Sequence, residues 1–423
     1  MSSRKRNPLP APRALTAAFT VLACSIGWAQ ESTPWYFGAS QSLTRDSNVY
    51  RLADGVAAPG GQARADTYAS TGLLGGFDQP FGRQRFRAAA NIRYNRYQEQ
   101  DTLNNTSYGL DAGWDWTSIW NLSGGVNVAA NQSLAQLNGN SAVQTTSRNL
   151  VKTDQIGANL NWGGTGLLSV RSDYSHSRVR YSSQSSGNSN SSGDSASIGT
   201  YYNLSPALTT GVALRFTRTD AINTNPNASN GRNLDLSANW RYSPQTGVNA
   251  RLSWTRQSNS GVAGQDFSGL TGSLAANYAP TAKIGLNVSY NRDAGTNGAF
   301  FNATPTTGTT TTTTTPILYE NSQVSDSLAF GATYAATAKI NVNAGYQYRK
   351  ALIGNAASAG GSSASLGEYN DKLSTASLGV SWAITRGWGL GCNYLHEKRE
   401  ANSTPPLTYS ANVIGCSAQY TFR

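Results

Sequence analysis

The chain has 423 residues and a formal net charge of +11, yet only 13% of its residues are charged and 38% are hydrophobic. That mixture is too polar for helical membrane spans, and no run of about 18 apolar residues occurs past the N-terminus. With 10 Trp and 21 Tyr it is also too aromatic for a solvating, disordered chain; strands with one apolar and one wet face fit it.

The N-terminus has the pattern of a secretory signal. Arg4, Lys5, Arg6 and Arg13 form a basic region, residues 14–26 a short apolar stretch, and Gly27-Trp28-Ala29 a small-residue cleavage site before Gln30. Residues 1–29 are therefore expected to be a signal peptide and residues 30–423 the mature domain. The rival reading is lipid attachment at Cys24, because Val21-Leu22-Ala23-Cys24 loosely resembles a lipobox. Losing the four basic residues takes the formal +11 down to +7. A basic balance ordinarily prompts a nucleic-acid reading, but the export signal argues against it, and no nucleic acid is expected as a partner.

From about residue 33 onward one unit recurs, an alternating segment followed by a turn. In residues 84–97, Phe86, Ala88, Ala90, Ile92 and Tyr94 fall on one face, and Arg85, Arg87, Asn91, Arg93 and Asn95 on the other. A period of 2 marks a strand with one greasy and one polar side. Repeated many times with polar residues on the hidden face, this pattern leaves no core to bury in a soluble protein. A closed barrel with lipid outside and water inside resolves the conflict.

Short connections are expected near residues 79–83, 117–121, 163–165, 205–207, 243–245, 280–282, 335–338 and 385–387. Long ones are expected near 52–63, 99–104, 135–149, 182–193, 221–231, 259–266, 294–320, 352–370 and 400–408. Eight turns and nine loops join 18 strands, to within two. The expected fold is therefore all-β: a transmembrane antiparallel β-barrel of about 18 strands, with short periplasmic turns and long extracellular loops. Trp116, Trp120, Trp162, Tyr202, Tyr242, Tyr278, Tyr334, Trp382 and Trp388 sit beside the short turns as one interfacial girdle, and Tyr174, Trp254, Tyr290 and Tyr346 suit the other. Low-complexity tracts at 185–192, 309–315 and 356–364 fall in the long connections, where one loop can fold inward as a constriction.

The final hairpin centres near Thr404, which places Cys392 and Cys416 directly opposite one another on the outward face. A disulfide and a pair of free apolar thiols are both compatible with that placement. The last segment puts Ile414, Cys416, Ala418, Tyr420 and Phe422 on one face and resembles the terminal insertion signal of outer-membrane barrels.

Catalysis finds little support. The imidazoles are His176 and His396, neither near a recognisable nucleophile motif, so the chain reads as a non-enzyme. With no CxxC or zinc spacing, no metal or cofactor is expected either. With the apolar face outward, the lumen carries Arg85, Arg87, Arg93, Arg171, Arg215, Arg241, Arg251, Lys283, Lys339 and Arg349. Against them stand Asp111, Asp115, Asp173, Asp235, Asp293 and Glu397. Ten basic groups against six acidic ones imply a positive field and a preference for anions, less whatever Arg–Asp pairing neutralises.

Three segments go beyond generic patterning: Asp46-Ser47-Asn48-Val49-Tyr50-Arg51, then Gly82-Arg83-Gln84-Arg85-Phe86-Arg87 with Tyr94-Asn95-Arg96-Tyr97, then the run from Asn105 to Trp116. Their succession resembles the outer-membrane proteins of exopolysaccharide biosynthesis operons, the EpsL type, within the wider family of β-barrel porins. The likeness is best over residues 35–134 and implies export of a polysaccharide across the outer membrane, with outer-membrane lipid and periplasmic export components as partners. The alternatives are a general diffusion porin for small solutes and a surface adhesive barrel.

Overall fold

The computed structural model describes residues 34–135, 147–164, 166–183, 190–221, 227–260, 266–294, 322–359, 362–402 and 408–422. The signal segment, Cys24 and the 309–315 tract lie outside the described residues. Eighteen strands follow one another: β1 Trp35–Asp46, β2 Asp66–Phe81, β3 Gln84–Tyr97, β4 Asn105–Thr117, β5 Leu122–Leu134, β6 Leu150–Trp162, β7 Leu168–Tyr181, β8 Ser191–Ser205 and β9 Leu208–Ala221. The second half is β10 Asn227–Ser243, β11 Thr246–Asn259, β12 Phe267–Thr281, β13 Ile284–Asp293, β14 Ser322–Ala335, β15 Ile340–Ala359, β16 Ser362–Ala383, β17 Trp388–Ala401 and β18 Tyr409–Phe422.

Each strand pairs antiparallel with its sequence neighbours, and β1 also pairs with β18, from Phe37 opposite Phe422 to Asp46 opposite Val413. The sheet therefore closes on itself and leaves no open edge, which is what lets a sheet lie in lipid with every backbone group satisfied. All eight short turns fall where the alternation breaks in the sequence.

The wall is a bilayer-spanning one in composition as well as shape. Leu73, Ile92, Leu214, Trp254 and Leu378 stand at least half exposed on the outside, an arrangement that water would penalise and lipid rewards. The inside is lined by small polar groups; Thr255 on β11, for instance, hydrogen-bonds Asn233 of β10 at 2.7 Å and Thr271 of β12 at 2.6 Å. This closed antiparallel barrel is an integral protein of the bacterial outer membrane.

One connection differs from expectation. Residues 352–370 were expected to be a loop, but β15 and β16 stay paired from Leu352 opposite Asn370 out to Ala359 opposite Ser362. The backbone ladder continues without an apolar pattern to announce it, with one register shift between Asn355 and Ala356. Small Gly, Ser and Ala residues weaken strand propensity but do not prevent main-chain pairing.

Candidate functional site

The start of the β1–β2 connection, residues 47–65, packs against inward-facing side chains at the extracellular ends of the wall strands. That start is the Asp46–Arg51 segment, and the local geometry explains why these residues stand in that order. Asp46 accepts the Asn48 amide at 2.8 Å and pairs with the Arg51 guanidinium at 2.7 Å. The Asn48 side chain donates to the Leu52 carbonyl and accepts from the Leu52 amide, both at 2.9 Å, and so imitates a backbone pairing partner. Arg51 takes a left-handed φ of 52°, uncommon for a residue with a Cβ, and the flanking bonds hold it there.

The segment is fastened on both sides. Toward β18, Asn48 donates to the Ser410 carbonyl, the Ser47 amide to the Asn412 carbonyl, and the Asp54 amide to the Thr408 carbonyl. Toward β2 and β3, Tyr50 and Leu52 are both 0% exposed in a cluster with Ala58, Leu103 and the inward-facing Tyr97, and Tyr68 packs against it. The Tyr50 hydroxyl bonds Gln100 at 2.7 Å and Gln62 at 2.8 Å. Burial, aided by the charge of Asp66, pushes the Tyr50 phenol up to about 12. Burial alone would lower the Arg51 guanidinium, but the carboxylates of Asp46 and Glu397 more than offset it and hold Arg51 charged.

Beside this shelf lies a buried charged cluster on β16–β18. Arg399 pairs with Asp371 at 2.8 Å, with side chains 2% and 1% exposed. Arg51 reaches Glu397 at 3.4 Å, and Glu397 also accepts the Tyr409 hydroxyl. The shelf and the cluster lie side by side at the extracellular end of the lumen wall.

The remaining lumen charges follow from strand parity. Arg85, Arg87 and Arg93 alternate with the outward Phe86, Ile92 and Tyr94, and Arg171, Arg215, Arg251 and Arg349 take the same inward positions on β7, β9, β11 and β15. Arg85 pairs with Asp78, Arg87 with Asp115 at 2.8 Å, and Arg215 with Asp235 at 2.8 Å. Asp111 faces the lumen in the open, and Asp173 accepts the Ser197 hydroxyl at 3.3 Å. The side chain of Arg171 stacks 4.3 Å from the centre of the Tyr201 ring. That ring lies across Gly211, where any Cβ would sit 2.2 Å from it, so only glycine leaves the space.

Several expectations need correction. Lys283 and Lys339 sit in the turns before β13 and β15, not in the wall; Lys339 instead donates to the Ile384 carbonyl of the next turn at 2.9 Å. Arg241 stands at the periplasmic mouth, inward between the outward Trp240 and Tyr242. Asp46, Asp66, Asp78 and Asp371 also face inward, as do Arg51 and Arg399. Inward cations and carboxylates therefore come out level among the described residues, and the expected positive excess disappears. Period-2 parity applied to the strand ends would have found Asp78 and Asp371; no periodicity signals Arg51, which lies in a loop.

Both histidines are on the outward face near the extracellular rim. The His176 ring meets Asp194 at 2.9 Å and the His396 ring meets Asn412 at 2.8 Å; among the described residues neither bonds a hydroxyl. Cys392 and Cys416 stand directly opposite one another on β17 and β18 and are joined by a disulfide.

No family model matches the chain, and no curated protein matches it. Among solved structures it is similar to OccAB4 of Acinetobacter baumannii, at 11% identity and a TM-score of 0.44, covering 93% of this chain and 99% of that one. It is also similar to OccK3 (OpdO) of Pseudomonas aeruginosa, at 13% identity and a TM-score of 0.45, covering 92% and 95%. A third is the siderophore receptor PirA of Acinetobacter baumannii, at 9% identity and a TM-score of 0.43, covering 93% and 81%. The resemblance to exopolysaccharide-operon proteins finds no counterpart in these comparisons and rests on the three sequence segments alone.

Proposed function

We propose that this barrel is a diffusion channel for small hydrophilic solutes, with the β1–β2 shelf setting the width of its extracellular mouth. The observation that carries this reading is the fully buried Tyr50–Leu52 pair, which packs the start of the β1–β2 connection against the inward-facing Tyr97 and Tyr68 at the extracellular end of the lumen. A barrel of 18 strands has room for an aqueous path, and a wall of level charge with interleaved Ser, Thr and Asn suits polar solutes of either sign. A fixed shelf is a poor fit to a flexible polymer, which needs an unobstructed cross-section along its whole length. For that reason export of a polysaccharide ranks behind the porin reading.

The test is single-channel conductance in planar bilayers, comparing the wild type with a variant in which residues 49–61 are replaced by a short Gly-Ser linker. The shelf reading expects conductance to rise roughly twofold or more and liposome swelling to admit larger sugars. A folded variant with unchanged conductance and size cut-off would remove the shelf from the permeation path. A deletion strain with normal small-solute uptake but no surface polymer would restore the export reading.

A further inference from the structure

The outside of the wall carries its charges at one end only. Outward positions near the short turns are aromatic or aliphatic, whereas those near the long loops are rich in arginine and lysine. The strand registers make this more pointed. Arg232 of β10 lies directly opposite Arg256 of β11, and Lys350 of β15 directly opposite Lys372 of β16. Lys152 of β6 lies directly opposite Arg180 of β7, and these two share the single carboxylate of Asp154 at 3.5 and 2.5 Å.

Opposed cations on one face of an antiparallel pair repel, so each such pair is a local cost that folding alone does not explain. Arg232, Arg256, Lys350 and Lys372 form no ion pair among the described residues, and all four are exposed. The Arg232–Arg256 pair is flanked by Phe216 and Ser268 in the strand registers. Lys350 and Lys372 stand opposite Asp326 and Glu400, but each of these carboxylates is shared, Asp326 with Arg292 at 3.2 Å and Tyr290 at 2.7 Å, and Glu400 with Lys398 at 2.7 Å.

Height along the wall identifies what can compensate. Arg256 and Lys350 each stand ten residues beyond the first residue of their strands, Thr246 and Ile340. At about 3.3 Å per residue and a tilt of about 40°, ten residues climb roughly 25 Å, the height of the apolar band of an outer-membrane barrel. Arg256 is also two residues above the outward Trp254, which is 61% exposed. The opposed cations therefore sit just above the girdle, at the level of the outer-leaflet head groups.

We propose that these outward pairs are binding sites for the phosphate groups of outer-leaflet glycolipid, the lipopolysaccharide of a Gram-negative outer membrane. A phosphate placed between two opposed guanidinium or ammonium groups accepts hydrogen bonds from both and turns a repulsive pair into a bridged one. The inference is independent of what passes through the lumen.

The experiment titrates fluorescent lipid A into the folded barrel in neutral detergent. The wild type is compared with the combined Arg232→Gln, Arg256→Gln, Lys350→Gln, Lys372→Gln variant, with heat-modifiable gel mobility reporting the fold. Losing four cations should weaken binding by at least about tenfold, and the wild type should lose a similar factor toward dephosphorylated lipid A. Should the fourfold variant fail to fold, each two-residue variant carries the same comparison with part of the loss. Channel conductance should not change in either case. Equal affinity for phosphorylated and dephosphorylated lipid, or unchanged affinity in the folded variants, would overturn the proposal. Displacement of the lipid by millimolar inorganic phosphate would also overturn it, by reducing the sites to adventitious anion binding.

Discussion

Two stretches of the lumen wall handle charge in opposite ways. On β16–β18, beside the shelf, Arg399, Asp371, Glu397 and Arg51 are almost wholly buried, and each has a counter-charge in contact. On β7–β11 the guanidiniums of Arg171 and Arg251 make no ion pair among the described residues; Arg171 instead rests on the Tyr201 ring. A buried ion pair gives little net stability, because desolvation consumes most of its Coulombic gain, but it strongly penalises loss of one partner. A cation without a carboxylate partner contributes less to the fold and keeps its field for whatever passes. The first stretch holds a loop in place; under the channel function proposed above, Arg171 and Arg251 of the second are the cations that meet solutes.

The largest effect should come from breaking the buried pair. Arg399→Ala leaves Asp371 charged and enclosed, and unfolding in urea should show a loss of about 3–5 kcal/mol. Replacing both, as Arg399→Met with Asp371→Leu, should recover most of that loss. A single-variant loss below about 1 kcal/mol would mean that water reaches the pair and that the mouth is more open than the burial implies. A smaller effect is expected from Arg51→Ala, which removes the bond to Asp46 and the contact with Glu397 while leaving a Cβ at a positive φ. A stability loss of about 1–3 kcal/mol should accompany faster chymotrypsin cleavage at Tyr50 in the folded barrel. Protection of Tyr50 equal to that in the wild type would show that the apolar cluster alone holds the shelf.

Much of this comparison is legible in the sequence. Strand number, orientation and the eight short turns follow from period-2 alternation, because a strand facing lipid must alternate wherever it crosses the membrane. Facing positions for the cysteines followed from hairpin symmetry. The shelf was not legible, although the Asp46–Arg51 segment stood out as distinctive. Its packing depends on Tyr97 and Leu103 from one side and Glu397 and Ser410 from the other, residues brought together by barrel closure between β1 and β18. The charge balance was misjudged for a related reason. Asp46 and Asp66 sit at strand ends, where alternation fades, and Asp371 lies within β16 directly after the tract that reads as a loop in the sequence.

The smallest predicted effect sharpens the contrast on the arginine side. With charges level, the wild-type pore should be only weakly selective between cations and anions, not strongly anionic in preference. Arg171→Gln with Arg251→Gln removes two cations that make no ion pair among the described residues, and should cut the anion-to-cation permeability ratio by roughly twofold, an effect that fades as salt rises from 0.1 to 1 M. Arg85→Gln with Arg87→Gln removes the same formal charge, but these groups are held in ion pairs with Asp78 and Asp115. That variant should shift the reversal potential similarly by exposing two carboxylates, yet leave block by a multivalent anion such as phosphate nearly unchanged. The Arg171 and Arg251 variant should weaken the block more, because among the described residues neither guanidinium is held in an ion pair. Equal loss of block in both variants would show that total charge alone, not ion pairing, governs how a passing anion meets the wall.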